Sequence, residues 1–345
     1  MNALDKYKKF PSSRYMGSKN KIIDELFQVF SNLEFKTALD LFSGSSSVSY
    51  LFKCMGKKVI SNDYLTFSSN IAKAIISNNK IKLSQRDLDN LVKPPKKYDK
   101  FVQTKFNKIF FSKADNNFID IVRHNIGNLK NGYKKSIALA SLIKACQKKQ
   151  PRGLFTFVGF RYDDGRLDLK KSMHEQFIDA VKVFNEAIFD NGKNNSVSNS
   201  DFQEVKKNAD LVYIDPPYFS KLSDNQYVRR YHFLEGIAKN WKGLTIEENS
   251  VVKKFKKYPS MFDTEEGSKL AISHLVKKYS KSIIIFSYSS NSLPNLNYFQ
   301  QEGKKNNMKV EVKKIKHTYS FGTQKKSSLM KNKVEEFIIC MTKNA

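Results

Sequence analysis

The sequence contains little cysteine, tryptophan or acid. Among 345 residues there are three cysteines and one tryptophan, and 33 Asp and Glu stand against 61 Lys and Arg. Cys54, Cys146 and Cys340 are widely separated and form no CxxC pair, so neither a disulfide framework nor a zinc site is indicated. The five histidines are also scattered. We therefore expect a protein from a reducing compartment that holds no structural metal.

Long apolar runs are also missing. Residues 1–10, MNALDKYKKF, lack the apolar segment of a signal peptide, and no stretch reaches the length of a membrane span. The strongest short apolar run, at 283–286, has the length of a strand. These absences predict a cytoplasmic protein with no membrane partner, and we expect a monomer.

The charge balance is strongly one-sided, with a formal net charge of +28. Such an excess favours a polyanionic partner, because the summed field attracts phosphate groups. Compositional drift toward lysine is the alternative, but drift of that kind should raise glutamate as well, and here the acids lag behind. The charge therefore favours nucleic acid.

Apolar periodicity predicts an α/β core. A helix over 22–30 precedes a short buried strand at 37–42, a helix at 48–55 and a second strand at 58–63. This is a βαβ unit, which implies a parallel sheet. Later runs predict further strands at 210–214, 282–286, 309–316 and 336–341.

A segment of different texture interrupts this core. Residues 81–195 are rich in lysine and mostly of helical pattern, and they include the stretch PRGLFTFVG at 151–159. We therefore divide the chain into a catalytic domain, 1–80 with 196–345, and an inserted subdomain, 81–195. A long charged stretch at 219–270, which contains Trp241, is interpreted as an additional DNA-contacting or lid insertion.

The sharpest motif is Asp215-Pro216-Pro217-Tyr218, directly after the predicted strand at 210–214. The prolines stiffen the turn and leave carbonyls free as acceptors. An exocyclic aromatic amine is a poor nucleophile, since its lone pair is delocalised. The Asp215 carboxylate and the Pro216 carbonyl can accept its two hydrogens and localise that lone pair, and Tyr218 can stack on the extruded base. A strand that simply ends in a turn is the alternative.

A second motif, DLFSGSSSV at 40–48, combines a strand, a glycine turn and a helix N-terminus. Such a turn can cradle a cofactor, here a sulfonium compound with an amino-acid tail. Asp63, at the end of the next strand, can accept hydrogens from ribose hydroxyls. Two weaker motifs, RYMGSK at 14–19 and Ser200-Asp201-Phe202, are ordinary loops when taken alone.

In this order the motifs resemble the Dam-type DNA adenine methylases, a DPPY family whose cofactor motif precedes the catalytic one. The resemblance covers nearly the whole chain. It implies transfer of a methyl group from S-adenosylmethionine to N6 of a flipped adenine in duplex DNA, in a restriction-modification or related role. The implied fold is α/β: a Rossmann-like S-adenosylmethionine-dependent methyltransferase sheet with helices on both faces and an inserted, mostly helical DNA-recognition subdomain.

The resemblance also assigns residues by position. It implies catalytic roles for Asp215, Pro216 and Tyr218, and it implies cofactor binding by Tyr15, Lys19, Asp40, Phe42, Gly44, Asp63, Asp201 and Phe202. The segments FSYS at 286–289 and TYSFG at 318–322 resemble the later strand end and loop of the family. The stretch at 151–159 resembles the DNA-facing RGxFNVPxG segment, and in an arginine-poor chain the candidate DNA contacts are Arg152, Arg161, Arg166, Arg229 and Arg230.

Two departures from the family pattern bear on these roles. Ser46 replaces the second glycine of FxGxG, so close backbone approach is less free and we expect a differently shaped cradle. Thr156 and Phe157 replace the usual Asn-Val, which predicts different base recognition. Methylation of cytosine N4 and a non-catalytic DNA-binding module remain the alternatives. If the protein protects DNA from a cognate restriction endonuclease, that endonuclease is a separate protein, because no nuclease motif is present.

Overall fold

The strands of the protein follow the predicted apolar runs. The computed structural model describes residues 2–159, 163, 165–220, 226–318 and 333–344. Within them the strands are β1 Thr37–Asp40, β2 Lys58–Asn62, β3 Ser196–Ser198, β4 Leu211–Ile214, β5 Ile283–Ser289, β6 Met308–Thr318 and β7 Lys333–Lys343. Every strand predicted from the sequence is present. The unpredicted strand, β3, has three residues and is too short to show a period.

Helices fill most of the remaining described chain. They are α1 Ala3–Tyr7, α2 Ile23–Ser31, α3 Ser47–Cys54, α4 Thr66–Ile75, α5 Gln85–Val92, α6 Phe101–Lys105, α7 Lys113–Asn128, α8 Gly132–Lys148, α9 Leu167–Lys170, α10 Met173–Ala187, α11 Tyr227–Arg230, α12 His232–Lys239, α13 Glu265–Lys278 and α14 Leu296–Lys305. Short 3₁₀ turns occupy Lys19–Ile22, Pro151–Gly153 and Met261–Asp263. None of the helices in the described ranges is long and apolar enough to cross a membrane. Six helices, α5 to α10, fall within 81–195, so its predicted helical character is confirmed.

The chain packs into two compact units. Unit 1 comprises Met1–Asn32, Ser43–Val205 and Tyr227–Lys257, and unit 2 comprises Leu33–Phe42, Lys206–Gln226 and Tyr258–Ala345. The stretch at 219–270 contributes to both units and so does not form one separate element. Its predicted contact with DNA and the recognition role of 81–195 stay predictions.

Unit 2 contains a mixed five-stranded arrangement. Strand β4 pairs in parallel with both β1 and β5, while β7 pairs antiparallel with both β5 and β6. The β4 sequence LVYI is buried at every position, as expected for a strand covered on both faces. Because β1, β4 and β5 are parallel, their carboxyl ends lie at one edge. Asp40 ends β1 and Asp215 follows β4, so this edge carries both acids.

A side-chain contact aligns the amino ends of β1 and β4. The carboxylate of Asp210 accepts hydrogen bonds from the backbone N–H groups of Lys36 and Thr37, each at 2.9 Å. The Thr37 hydroxyl accepts from the Asp210 N–H at 2.9 Å. The hydrogen bonds to the carboxylate, the one from Lys36 first among them, lower the pKa of Asp210. Asp210, directly before β4, therefore holds the register of β4 against β1.

Unit 1 combines the parallel pair β2 and β3 with most of the helices. Its helices begin at good caps: Ser84 and Ser172 each form a reciprocal capping box with the acid three residues later. An aromatic cluster joins the insert to α12, since Phe110 and Phe155 pack at ring-centroid distances of 5.2 and 5.0 Å from Phe233. The apolar positions of the insert therefore share one core with the rest of unit 1.

Candidate active site

The tetrapeptide Asp215–Tyr218 lies directly after β4 in unit 2, as predicted. Pro216 is buried, while Asp215 and Tyr218 are half-buried at the strand edge. The Tyr218 hydroxyl lies 2.6 Å from Asp215 Oδ1, which is the length of a charge-assisted hydrogen bond. The tyrosine that was expected to stack on a base thus also contacts the carboxylate predicted to be catalytic.

A second carboxylate, which the sequence did not single out, contacts the same hydroxyl. Glu336 Oε1 lies 3.0 Å from Tyr218 Oη and accepts a hydrogen bond from Ser287 Oγ at 3.0 Å. Glu336 is only 1% exposed. The available signal was its position: it shares the strand face of Ile338, which is also buried, so a carboxylate there is out of pattern.

An aromatic ring packs against the tetrapeptide and also lines a cavity. The Tyr218 ring contacts the edge of Tyr288, with centroids 5.1 Å apart. Tyr288 follows Phe286 in β5, within the FSYS segment, and its hydroxyl donates to the Leu293 carbonyl at 2.6 Å. Tyr288 also lines a cavity of about 240 Å³ whose wall includes serine side chains and Phe337. Tyr288 therefore contacts both the tetrapeptide and this cavity, although none of the four motif residues lines the cavity itself.

Asp40 ends β1, the first strand of unit 2, and Phe42 follows two residues later. Asp40 is 1% exposed, an unusual burial for an acid. The Phe42 ring packs edge-on against Phe262 with centroids 5.6 Å apart. Phe42 therefore packs inside unit 2 at the start of the glycine motif. Its contact with a cofactor stays a prediction.

The glycine turn itself lies in unit 1, and its backbone is left-handed at two positions. Gly44 has a φ of 50° and Ser46 a φ of 65°. Ser46 occupies the position of the second family glycine, and this conformation is strained for a non-glycine residue. Its N–H donates to the Ser43 carbonyl at 2.6 Å. Ser46 therefore adopts the left-handed backbone conformation that a glycine would adopt with less strain. Strain at this position is thus the physical consequence of having serine in place of the second glycine of FxGxG.

Asp63 closes this turn from the end of β2. Its Oδ2 accepts from the Gly44 N–H at 2.7 Å and its Oδ1 from the Leu65 N–H at 2.8 Å. Burial outweighs these bonds and raises the pKa of Asp63 to about 7. Each carboxylate oxygen has a further lone pair, so Asp63 can still accept from a ligand hydroxyl.

Tyr15 and Lys19 lie in the N-terminal loop of unit 1. The Tyr15 ring stacks on Tyr231 with centroids 5.2 Å apart, and a Cβ built on Gly44 would lie 2.9 Å from Tyr15 Cε1. Only glycine fits under the tyrosine. Lys19 is 4% exposed and donates to the Gly17 carbonyl at 3.2 Å. The structure therefore brings Tyr15 against the glycine turn.

Asp201 and Phe202 lie in the loop after β3. Asp201 Oδ1 accepts from the Gln203 N–H at 2.9 Å, and Phe202 is buried. Asn199 bridges this loop to β2, because its side-chain amide donates to the carbonyls of Asp63 and Tyr64 at 2.9 Å. Tyr64 is 40% exposed and was missed; an exposed ring next to the ribose-binding candidate was the available signal.

The arginines predicted to contact DNA differ in environment. Arg152 is exposed and has a φ of 54°. The next residue, Gly153, lies so close to Arg14 that a Cβ added to it would be 2.6 Å from the Arg14 carbonyl oxygen. Arg166 contacts the Lys148 carbonyl at 3.5 Å. Arg229 forms a two-pronged ion pair with Glu247 at 3.1 and 3.4 Å. Arg230 is half-buried, and its carbonyl accepts from the Phe155 N–H at 2.9 Å.

Part of the predicted site lies outside the described residues. This is so for Arg161 and for most of the TYSFG loop at 318–322. Among the residues that are described, no group of three or more His, Cys, Asp or Glu side chains could hold a metal ion.

Known proteins with similar sequences fall in one family. The family described as D12 class N6 adenine-specific DNA methyltransferase matches residues 15–337. Type II methyltransferase M2.HphI of Haemophilus parahaemolyticus is 28% identical over 90% of this chain and 93% of its own length. Modification methylase StsI of Streptococcus sanguinis is 27% identical, and type II methyltransferase M.FokI of Planomicrobium okeanokoites is 26% identical. Each of these two matches 81% of this chain, which spans less than half of their length, 44% and 45%.

The match decides between the alternatives that the sequence left open. The family is adenine-specific, which disfavours methylation of cytosine N4, and it is a family of enzymes, which disfavours a non-catalytic module. With 323 of its 345 residues inside the match (15–337), the chain belongs to the D12 class of N6 adenine-specific DNA methyltransferases, enzymes that transfer a methyl group from a donor cofactor to DNA adenine.

Proposed function

We propose that the protein transfers a methyl group from S-adenosylmethionine to N6 of an adenine flipped out of duplex DNA, with Asp215 as the acceptor of the amino hydrogens. The observation that carries this assignment is the half-buried Asp215 carboxylate at the end of β4, held at 2.6 Å by Tyr218. When bound, the cofactor supplies an electrophilic methyl group on a sulfonium. The protein supplies position and charge.

The residues of unit 1 fit such a cofactor. Gly44 lets the turn pass directly against Tyr15, where a Cβ would lie 2.9 Å from Tyr15 Cε1, and the carboxylate of Asp63 suits ribose hydroxyls. Ser43 Oγ and Ser46 Oγ are buried and have no hydrogen-bond partner among the described residues. Buried hydroxyls of this kind cost free energy unless a ligand satisfies them. Asp201 and the exposed Tyr64 ring suit the purine of the cofactor, and Lys19 suits its carboxylate.

In unit 2, Asp215 and Pro216 accept the two hydrogens of the amino group. This localises the nitrogen lone pair and stabilises the positive charge that develops there. Tyr218 fixes one carboxylate oxygen of Asp215 and so orients the carboxylate for this role. The cavity behind Tyr288 is a candidate for the space that the extruded base enters. No general base is needed before attack, and the proton leaves afterwards.

For DNA, we propose phosphate contacts from the lysine-rich surface and base contacts from the insert. Arg152 is the candidate we favour, since it is exposed and belongs to the same stretch, 151–159, as Phe157, an apolar ring that is 43% exposed. Arg229 is paired with Glu247, so a contact with guanine requires that this ion pair open. Because several relatives are type II methyltransferases, we further propose a role beside a separate restriction endonuclease.

Substitution of Asp215 tests the proposal. Asp215→Ala should abolish transfer of labelled methyl from S-adenosylmethionine to mixed genomic DNA, because the amino hydrogens lose their acceptor. Calorimetry should show that it still binds the cofactor. Asp89→Ala, at an exposed aspartate of the insert, is the matched control and should methylate normally. Nucleoside analysis of the wild-type product should give N6-methyladenine. Activity retained by Asp215→Ala would refute the assignment.

A further inference from the structure

One buried acid of unit 2 has no place in the reaction described above. Glu336 lies in β7 opposite Ser289 of β5 and is 1% exposed. Burying a carboxylate costs several kcal/mol unless it is hydrogen-bonded, so its retention inside a strand needs a reason. Its Oε1 accepts from Ser287 Oγ, two residues along β5 on the same face. The serine therefore fixes the carboxylate against the sheet.

The other contact of Glu336 leads to the catalytic acid. Tyr218 Oη lies 3.0 Å from Glu336 Oε1 and 2.6 Å from Asp215 Oδ1. One phenol thus lies between two carboxylates. A phenol has one hydrogen and donates it to one acceptor at a time, and the hydroxyl rotates to suit. The shorter distance places the hydrogen on Asp215 and leaves Glu336 as the alternative acceptor.

The position of this hydrogen changes the charge that Asp215 presents. While Tyr218 donates to Asp215, part of the carboxylate charge is neutralised. When the hydroxyl turns to Glu336, the whole charge of Asp215 is available to the ammonium that forms on the substrate nitrogen. Rotation of a hydroxyl breaks no covalent bond, and it occurs fast compared with catalytic turnover.

We propose that Glu336 is a positioning residue for methyl transfer, which acts by holding the Tyr218 phenol and by taking its hydrogen bond as positive charge develops beside Asp215. The proposal rests on the function proposed above for Asp215. It assigns Glu336 to the reaction although it touches neither substrate nor cofactor. Ser287 in turn orients Glu336.

A double-mutant cycle tests the proposal. In Glu336→Ala the hydrogen stays on Asp215, so kcat should fall about 100-fold, while KM for DNA and cofactor affinity stay within about 3-fold. Glu336→Gln keeps a neutral acceptor, which is weaker than a charged one, so its kcat should fall only about 10-fold. In a Tyr218→Phe background, Glu336→Ala should change kcat by less than about 2-fold, because the hydroxyl is gone. Glu335→Gln, at the adjacent half-buried acid, is the matched control and should retain the wild-type rate.

The possible results distinguish failure of this inference from failure of the proposed function. Effects of Glu336→Ala and Tyr218→Phe that simply multiply, or a wild-type kcat in Glu336→Gln, would overturn the proposal. If Glu336→Ala does not fold, Glu336→Gln and Ser287→Ala decide, and Ser287→Ala should lower kcat without changing KM. A wild-type rate in Asp215→Ala would instead overturn the proposed function itself. Loss of activity in Asp215→Ala together with an inert Glu336 would overturn only this inference.

Discussion

The ionisation of Asp63 should make cofactor affinity depend on pH. Its carboxyl is 7% exposed, and burial raises its pKa to about 7 from the usual 3.8. The ionised form offers strong acceptor lone pairs on both oxygens to ribose hydroxyls beyond the amides of Gly44 and Leu65, whereas protonation turns one oxygen into a donor and a weak acceptor. Binding should therefore favour ionised Asp63 and should weaken as pH falls through 7.

The magnitude follows from the fraction of ionised carboxylate. With a pKa of about 7 in the free protein, that fraction falls from about nine-tenths at pH 8 to about one-tenth at pH 6. The dissociation constant should accordingly rise by about 10-fold between pH 8 and pH 6. If the pKa kept its usual value near 3.8, Asp63 would be ionised throughout and would contribute no slope.

Isothermal titration calorimetry of S-adenosylmethionine at pH 6, 7 and 8 measures this slope. The α-amino group of the cofactor titrates near the same pH, so the comparison is with Asp63→Asn, which removes only the contribution of the protein. Asp63→Asn should bind the cofactor more weakly than the wild type at pH 8. Between pH 8 and pH 6 its dissociation constant should rise about 10-fold less than that of the wild type. Asp89→Asn, at an exposed site, should keep the wild-type slope. Equal slopes in wild type and Asp63→Asn would refute the reasoning.

Three further predictions concern the turn and the strand register. Gly44→Ala should weaken cofactor binding at least about 10-fold in the same titration, because its Cβ would lie 2.9 Å from Tyr15 Cε1. Ser46→Gly should raise the free energy of unfolding in urea by about 1 kcal/mol, since glycine adopts a φ of 65° without strain. Asp210→Ala should lower that free energy by about 1 kcal/mol at pH 7. Because its pKa is lowered, that advantage of the wild type should disappear as pH falls through and below 3.8.

Each has a control. Gly56 also has a positive φ, but a Cβ added there would meet no atom within 4 Å, so Gly56→Ala should destabilise the fold without weakening cofactor binding. Ser46→Ala keeps the strained backbone and should give none of the gain in unfolding free energy expected for Ser46→Gly. For Asp210, a difference from wild type that persists unchanged at a pH of about 2 would contradict the hydrogen-bond explanation.

Local signals in the sequence were enough for the framework of the site. An apolar run followed by Asp215-Pro216-Pro217-Tyr218 predicts a strand that ends directly before the tetrapeptide, and β4 ends there, at Ile214. Asp40 and Asp63 were placed by the same rule, because acids that follow parallel strands collect at the carboxyl ends. Such positions depend on a few neighbouring residues, so periodicity and turn chemistry suffice to find them.

The tertiary structure decided what depends on residues far apart in the chain. Glu336 lies 118 positions from Tyr218, and the pairing of β4 with β5 and of β5 with β7 brings their side chains together. The raised pKa of Asp63 depends on how deeply the whole chain buries it, and the ion pair of Arg229 depends on the turn that carries Glu247. Strand order and burial are collective properties, and no short stretch of sequence specifies them.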